Sequence, residues 1–262
     1  MTAPQQNIGA FFDLDGTLLP APSLEWRFIG YLLERNEISS AQVTAWLAHF
    51  AASILRNPQE AIAGNKYYLA GINTSLASDW ENSLPPISAN EDSLPLFARG
   101  LKQIAWHHAQ AHQIFLITGT LAPLAQILAK RIAAQTQAPI EIQATRLEVN
   151  RQGWHSHSWL YSSAEWTGRR ATQHMSKEAK SDALEAVATT HNINLAQSYA
   201  YGDTSADIPM LEAVAQPRAV NPSNHLAQIA KKRRWPILNW QVSTPARIPS
   251  PARTQFAAKP SQ

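Results

Sequence analysis

Asp13 and Asp15 stand two residues apart directly after an apolar run, in the segment FFDLDGTLLP at residues 11–20. The second acid lies where a strand would give way to the turn-permitting pair Gly16-Thr17, so both carboxylates can converge on one bound group. Close negative charges are unfavourable unless a divalent cation or a proton on one carboxyl offsets them. The pair therefore fits a site for an anionic substrate and a hard metal. An acidic surface turn is the alternative, because such short strings occur often by chance.

A second acidic segment, AYGDTSADIPML, follows another predicted strand at residues 198–202 and contains Asp203 and Asp207. Adjacent strands of a parallel sheet end side by side, so Asp203 could join Asp13 in binding Mg²⁺, a cation that prefers carboxylate and carbonyl oxygens. Asp207 has a structural alternative as the N-cap of a helix that starts at Ile208.

Two weaker signals lie between these acidic segments. In ITGT, residues 117–120, a predicted strand ends at Thr118 and is followed by Gly119, and a hydroxyl beside exposed backbone N–H groups can form an anion pocket. Lys180 lies in the first turns of a predicted helix, where the macrodipole disfavours a cation. It is either a site residue or a solvated surface lysine, and Lys177 is its local competitor.

The elements that must position these residues alternate between strand and helix. The predicted strands cover residues 8–14, 113–118, 198–202 and 236–238. The predicted helices cover residues 94–110, 122–134, 177–191, 208–214 and 226–234. The first strand has apolar residues at both odd and even positions, which is typical of a strand buried on both faces of a parallel sheet. The alternation predicts a three-layer α/β domain whose ligands bind beyond the carboxyl ends of its strands.

Residues 23–90 interrupt this alternation with helix-like segments and no convincing strand. The first two helices have serine candidates for the N-cap, Ser23 for one and either Ser39 or Ser40 for the other. The first helix carries an apolar stripe on one face, formed by Trp26, Ile29 and Leu33. We expect this insertion to lie over the ligand-binding edge of the sheet.

Composition limits the class of protein. A chain of 262 residues with 45% apolar residues can build one large domain, or a core with a smaller inserted one. The absence of cysteine excludes disulfides, thiolate metal sites and cysteine nucleophiles. The amino terminus has no basic leader pattern, and no apolar run approaches the roughly 18 residues of a membrane helix. We therefore expect a cytoplasmic protein without integral membrane association.

The charge is distributed unevenly along the chain. Eight of the 22 Lys and Arg residues lie from Arg218 onward, where there is no acid, so residues 1–217 carry a net charge of −5. Residues 241–262 are rich in proline and serine, which predicts disorder. This basic tail allows peripheral contact with anionic lipid, although a solvated end is the simpler interpretation. The run KKRRW at residues 231–235 fits a helix C-terminus better than a nucleic-acid site, and we predict no nucleic-acid partner.

The order of the motifs carries a family resemblance. DLDGT, a strand ending in threonine, a lysine on a helix and GDTSAD follow one another. Together they resemble the haloacid dehalogenase superfamily of aspartate-nucleophile phosphotransferases. The spacing from Lys180 to Asp203 is similar to that in its subfamily IB, which contains phosphoserine phosphatase. The resemblance extends to about Leu238. It implies a Rossmann-like core with a mostly parallel sheet over residues 1–22 and 91–240, and a helical cap of the C1 type over residues 23–90.

The resemblance also implies roles for the motif residues. Asp13 would attack a phosphoryl group and form an aspartyl-phosphate, and Asp15 would protonate the leaving oxygen and then activate water. Lys180 would neutralise Asp13 and the developing charge. The substrate-binding positions would be Thr17, Thr118 and Gly119. Magnesium would be held by Asp13, the Asp15 carbonyl and Asp203, with Asp207 in support.

The implied function is a Mg²⁺-dependent phosphatase that hydrolyses a small phosphomonoester, with a small phosphorylated metabolite as its partner. Three alternatives stay open: phosphoryl transfer to an alcohol, action on a lipid phosphate at a membrane surface, and a binding protein without turnover. Phosphoserine phosphatases hold the substrate ammonium with a glutamate shortly after the first motif. Here Pro22 and Ser23 occupy about that place and Glu25 comes a few residues late, which argues against phosphoserine.

Overall fold

The core of the protein is a parallel sheet, seen in a computed structural model that describes residues 6–54, 64–85, 94–151 and 164–241. The strands are β1 (Gly9–Phe12), β2 (Gln113–Leu121), β3 (Ile140–Thr145), β4 (Leu147–Arg151), β5 (Ala164–Arg170), β6 (Tyr199–Gly202), β7 (Gln216–Val220) and β8 (Ile237–Leu238). Six of them form one sheet in the order β3-β2-β1-β6-β7-β8, and all its neighbours pair in parallel. β4 and β5 form a separate antiparallel pair, here called the small sheet.

The helices of the described ranges are α1 (Leu24–Glu34), α2 (Ser40–Ile54), α3 (Ser75–Ser83), α4 (Ala98–Ala109), α5 (Ala122–Thr136), α6 (Glu178–Thr190), α7 (Ile208–Glu212) and α8 (Asn224–Arg233). Every predicted core helix is present, with bounds that differ by a few residues. The predicted α/β architecture with a parallel sheet is therefore confirmed. Of the helices in these ranges, none is long and apolar enough to cross a membrane.

β1 lies in the middle of the sheet, and both of its faces are buried. Phe11 stacks on Phe115 in the core on one face, with ring centroids 5.2 Å apart. Phe12 stacks on Tyr201 in the core on the other face, with centroids 4.3 Å apart. Because β1 pairs with both β2 and β6, the carboxyl ends of these three strands share one edge.

Two strands of the main sheet, β3 and β7, are absent from the sequence prediction. β3 lies at the sheet edge, and its first four residues are only half-buried, so it lacks the continuous apolar run of a central strand. β7 contains Pro217, and proline is normally confined to edge strands. The register explains how the proline is tolerated. β8 pairs only with Ala219 and Val220, so no strand of the described ranges lies beside Pro217 on that side.

The first two helices after β1, α1 and α2, begin where the sequence indicates. Ser23 caps α1, because its Oγ accepts a hydrogen bond from the Trp26 N–H at 3.4 Å. Ser39, rather than Ser40, precedes α2 and accepts from the Gln42 N–H at 3.3 Å. The N-cap prediction for α1 is confirmed. Of the two serines predicted as the N-cap of α2, the structure has Ser39 in this role.

The small sheet packs beside these helices, which the sequence did not indicate. The Gly71 N–H donates to the Trp166 carbonyl at 2.8 Å, and the Trp166 N–H donates to the Ile72 carbonyl at 3.0 Å. β5 is thereby joined to the segment between α2 and α3. The division into core, cap and tail stays a prediction, and residues 55–63, 86–93 and the tail from 242 lie outside the described residues.

Candidate active site

Three acids predicted at strand ends lie together. Asp13 directly follows β1, and its N–H donates to the Tyr201 carbonyl at 2.9 Å, which keeps it aligned with β6. Asp203 directly follows β6. Carboxylate oxygens of Asp13, Asp203 and Asp207 all lie within 4.8 Å of one another. Parallel pairing of β1 with β6 thus brings together residues that are 190 positions apart in the sequence.

Lys180 provides a positive charge inside this cluster. It lies on α6 and is buried, and its Nζ donates to Asp13 Oδ1 at 2.6 Å and to Asp207 Oδ1 at 2.5 Å. Lys177 precedes α6 and is exposed. Of the two lysines that the sequence offered, only Lys180 contacts the acids, and its two ion pairs supply the reason for a cation in the first turns of a helix.

The cluster holds more negative than positive charge. Burial raises the pKa of Asp13 to about 7, although the neighbouring Lys180 acts in the opposite direction. Burial, followed by the charges of Asp13 and Asp207, raises the pKa of Asp203 to about 9. Burial lowers the pKa of Lys180, but its ion pairs with the two acids outweigh this effect and raise that pKa above its usual value. A divalent cation would offset the repulsion, and carboxylate oxygens are the donors that a hard cation prefers.

Asp207 is fully engaged within the protein. Its Oδ1 accepts from Lys180, and its Oδ2 accepts from the N–H groups of Asp203 at 3.1 Å and Thr204 at 2.9 Å. It forms a capping box with Thr204 at the short 3₁₀ helix Ser205–Asp207 that precedes α7. Asp207 stands at the predicted N-cap position before Ile208, but its side chain makes no capping hydrogen bond to α7. It serves instead as the third residue of the preceding 3₁₀ helix, and it also holds Lys180.

Asp15 lies in a different environment from Asp13. Its Oδ1 accepts from the Leu24 N–H at the start of α1 at 2.7 Å, and its Oδ2 accepts from the Thr120 hydroxyl at 2.5 Å. Burial raises the pKa of Asp15, and these two hydrogen bonds act in the opposite direction. Thr120 was missed as a site residue. The sequence could have indicated it, because Thr120 follows Thr118 by two residues and alternate residues of a strand lie on the same side.

The predicted phosphoryl-binding residues divide into two groups. Thr118 and Gly119 line the same cavity as Asp13 and Asp15. Thr17 is buried elsewhere: its hydroxyl donates to Asp203 Oδ1 at 3.4 Å, and it is not among the described residues that line the cavity. The prediction that the strand ends at Thr118 was wrong. β2 continues to Leu121 through a register irregularity after Thr118, because its neighbour β3 still pairs with it there.

The cavity above the acids has a volume of about 600 Å³. Its floor comes from the ends of β1 and β2 and from Lys180. Its walls come from α1, α2, the segment that follows residue 64, and the segments at residues 174–176 and 204–206. A second cavity of about 740 Å³ lies near Arg218, Arg233 and Arg234 and contains neither Asp15 nor any acid of the cluster. The chemistry therefore belongs to the first cavity.

The family model of haloacid dehalogenase-like hydrolases matches residues 10–212, a stretch that includes every acid of the cluster. The chain belongs to this family. Its sheet order, with β1 between β2 and β6, provides the strand-end site described above.

The chain is also similar to individual proteins of known sequence or structure. This haloacid dehalogenase-like hydrolase is 27% identical over 267 residues to a probable phosphatase of Mycobacterium tuberculosis, covering 98% of this chain and 84% of the relative. It is 26% identical over 258 residues to the phosphoserine phosphatase SerB1 of the same organism, covering 95% and 76% respectively. A solved structure of a protein of unknown function from Bordetella pertussis superposes with a TM-score of 0.66 at 22% identity, covering 89% of this chain and 99% of the other.

Proposed function

We propose that this hydrolase is a Mg²⁺-dependent phosphatase that cleaves a phosphomonoester through an aspartyl-phosphate on Asp13. The observation that carries the proposal is the ion pair between Asp13 and Lys180 at a strand end, with Asp15 on the same cavity. Two relatives from Mycobacterium tuberculosis, named a probable phosphatase and a phosphoserine phosphatase, support the same reaction. The cytoplasmic location stays a prediction.

In the first half of the reaction Asp13 attacks phosphorus. Its Oδ1 is paired with Lys180, which leaves Oδ2 outside this ion pair as the nucleophile. A bond forms between Asp13 and phosphorus, and the bond from phosphorus to the substrate oxygen breaks. Asp15 gives its proton to that oxygen, so the product leaves as an alcohol. Burial of Asp15 favours the protonated form that this step needs.

In the second half a water molecule attacks phosphorus. Asp15, now ionised, takes a proton from this water, and the bond between Asp13 and phosphorus breaks. Inorganic phosphate leaves and Asp13 returns to its carboxylate form. The Thr118 hydroxyl and the Gly119 N–H would receive the phosphoryl oxygens, and Lys180 would stabilise the negative charge that develops on them.

The acids also fit a cation. Asp13, Asp203 and the Asp15 carbonyl would hold Mg²⁺, which supplies positive charge to the phosphoryl oxygens when bound. Both oxygens of Asp207 already accept hydrogen bonds, so we assign it the role of positioning Lys180 and the loop at Asp203. Thr17 positions Asp203 through its hydroxyl.

The test is a panel of phosphomonoesters assayed for phosphate release with Mg²⁺, run with the parent protein and with Asp13→Asn. We expect the substitution to abolish release, because it keeps the shape of the side chain and removes the nucleophilic charge. Release by the variant at the parent rate would contradict the mechanism. An added alcohol that becomes phosphorylated, in place of free phosphate, would identify a phosphotransferase instead.

A further inference from the structure

The only cavity-lining acid besides Asp13 and Asp15, among the described residues, is Glu25, and its charge is already neutralised. Lys66 donates from Nζ to both Glu25 carboxylate oxygens at 2.6 Å, and the Tyr68 hydroxyl donates to Oε1. Lys66 and Tyr68 are both buried. A substrate ammonium would have to displace the Lys66 cation from Glu25 to use this carboxylate. The cavity wall is thus built for a group without a positive charge.

One apolar wall of the cavity comes from α1, which is apolar on two faces. Its first apolar face is buried in the core and consists of Leu24, Phe28, Tyr31 and Leu32. Its second face lines the cavity and consists of Trp26, Ile29 and Leu33. Ile29 also packs against the core, but Trp26 is 64% exposed and Leu33 is 55% exposed, so the described residues leave these two side chains largely uncovered. Apolar surface of this kind is stabilised when a ligand removes it from water.

The opposite wall comes from Ile38 and from α2. Val43 and Trp46 of α2 line the cavity, and Val43 is 43% exposed. None of the 15 residues of α2 is buried, although most of them are apolar. Two helices therefore present apolar side chains to one cavity that ends at Asp13 and Lys180.

We propose, on the basis of the phosphatase function proposed above, that the substrate is a phosphomonoester of a long-chain apolar alcohol. Its phosphoryl group lies at Asp13, and its chain lies between α1 and α2. A volume of about 600 Å³ accommodates much more than a phosphate group and falls within the range of sites for extended organic ligands. The neutralised Glu25 and the uncovered apolar faces both favour a chain over a charged amino-acid substrate.

The experiment measures kcat/KM for phosphate release from ethyl, butyl, hexyl and octyl phosphate, with Mg²⁺ and below the concentrations at which these compounds aggregate. Each methylene that leaves water can raise kcat/KM by up to about fourfold. We expect a rise of at least about tenfold from ethyl to octyl phosphate. Equal values along the series, with no gain on a lipid phosphomonoester, would overturn the proposal.

A matched pair of variants tests whether the chain lies where we place it. Val43 and Val149 are each 43% exposed, but only Val43 lines the cavity. Val43→Asn should lower the ratio of octyl to ethyl kcat/KM by at least about threefold, whereas Val149→Asn should leave this ratio unchanged. Leu33→Gln on the facing helix should act like Val43→Asn. Equal ratios in the parent and in both cavity variants would place the chain elsewhere and overturn the proposal.

The arms of the experiment separate the remaining outcomes. A gain on dispersed alkyl phosphates supports a free long-chain phosphate, and a gain confined to a lipid phosphomonoester in phosphatidylcholine vesicles supports a membrane lipid. If short polar phosphomonoesters are hydrolysed by the parent but not by Asp13→Asn, and the series is flat in both arms, the apolar substrate is refuted and the phosphatase stands. Absence of hydrolysis with every phosphomonoester would refute both.

Discussion

Two aspartates of one short loop have different partners, although burial raises the pKa of both. Asp13 is held by the ammonium of Lys180, which favours its charged, nucleophilic form. Asp15 accepts hydrogen bonds from two neutral donors, the Leu24 N–H and the Thr120 hydroxyl. The proposed mechanism assigns the nucleophile to Asp13, which has the cationic partner, and the acid to Asp15, whose donors are neutral. In this mechanism Thr120 is a positioning residue, because its hydroxyl holds the Asp15 carboxyl group.

Removing the Thr120 hydroxyl tests this positioning role. Thr120→Val keeps the shape of the side chain but leaves Asp15 Oδ2 without its hydroxyl donor. Hydrogen bonds to charged groups contribute about 1.5–3 kcal/mol, so kcat/KM should fall by about 10- to 100-fold. Thr120→Ser, which keeps the hydroxyl, should restore most of the activity. A valine variant within twofold of the parent would show that Asp15 does not depend on this contact.

At the scale of elements, the turn between β1 and α1 is shaped by one glycine. Gly16 has φ +88°, and a Cβ placed there would come within 2.0 Å of Asp203 Oδ2. Its N–H donates to the Leu19 carbonyl at 2.7 Å, which closes the turn. The turn therefore needs glycine for two reasons, the backbone conformation and the close approach of Asp203.

A pair of glycine substitutions separates these two reasons. Gly71 has φ +79°, but nothing lies within 4 Å of a Cβ built there. Gly71→Ala should cost only the left-handed conformation, about 1–2 kcal/mol of unfolding free energy, with kcat/KM retained. Gly16→Ala should also displace Asp203 and lower kcat/KM by about 100-fold or more. Similar kcat/KM values for the two variants would contradict a steric role for Gly16.

At the scale of the whole molecule, the sheet joins the active site to a buried polar cluster on α4. Tyr201 precedes Asp203 by two residues, and its hydroxyl lies 2.8 Å from His107 Nε2. His107 Nδ1 lies 2.8 Å from His112 Nδ1. The i, i+4 spacing of His108 and His112 occurs in zinc helices, but the His112 ring contacts His107 instead. Burial, followed by the charges of His112 and Arg218, lowers the pKa of His107 to about 3.

This buried imidazole predicts a pH dependence of stability. Between pH 3 and 6.5 the unfolded chain protonates His107 and the folded chain does not, so the unfolded state binds more protons. The unfolding free energy should therefore fall as the pH drops below about 6.5, by up to about 1.4 kcal/mol per pH unit from this residue. Urea unfolding of the parent and of His107→Gln at pH 5 to 7 measures it. A shallower slope in the variant is expected, and identical slopes would refute this assignment.

The sequence by itself determined β1, β2, β6 and β8 and the acids that meet at the strand ends. Apolar runs followed by acids mark strand ends locally, and parallel pairing places the ends of neighbouring strands together. The sequence alone therefore predicted that Asp13 and Asp203 lie close together. The family resemblance identified Lys180. β3 and β7 were not predicted, because strand prediction depends on an apolar pattern. In β3 the half-exposed residues at the sheet edge interrupt this pattern, and in β7 the proline does.

Only the tertiary structure decided which partners the remaining side chains have. Lys66 lies 41 residues from Glu25, and the periodicity of neither segment indicates that they neutralise each other. The stripe of Trp26 and Leu33 is visible in the sequence, but its period is the same whether the core or a ligand cavity covers it. Local patterns report which faces are apolar, whereas the packing of distant elements determines what those faces contact.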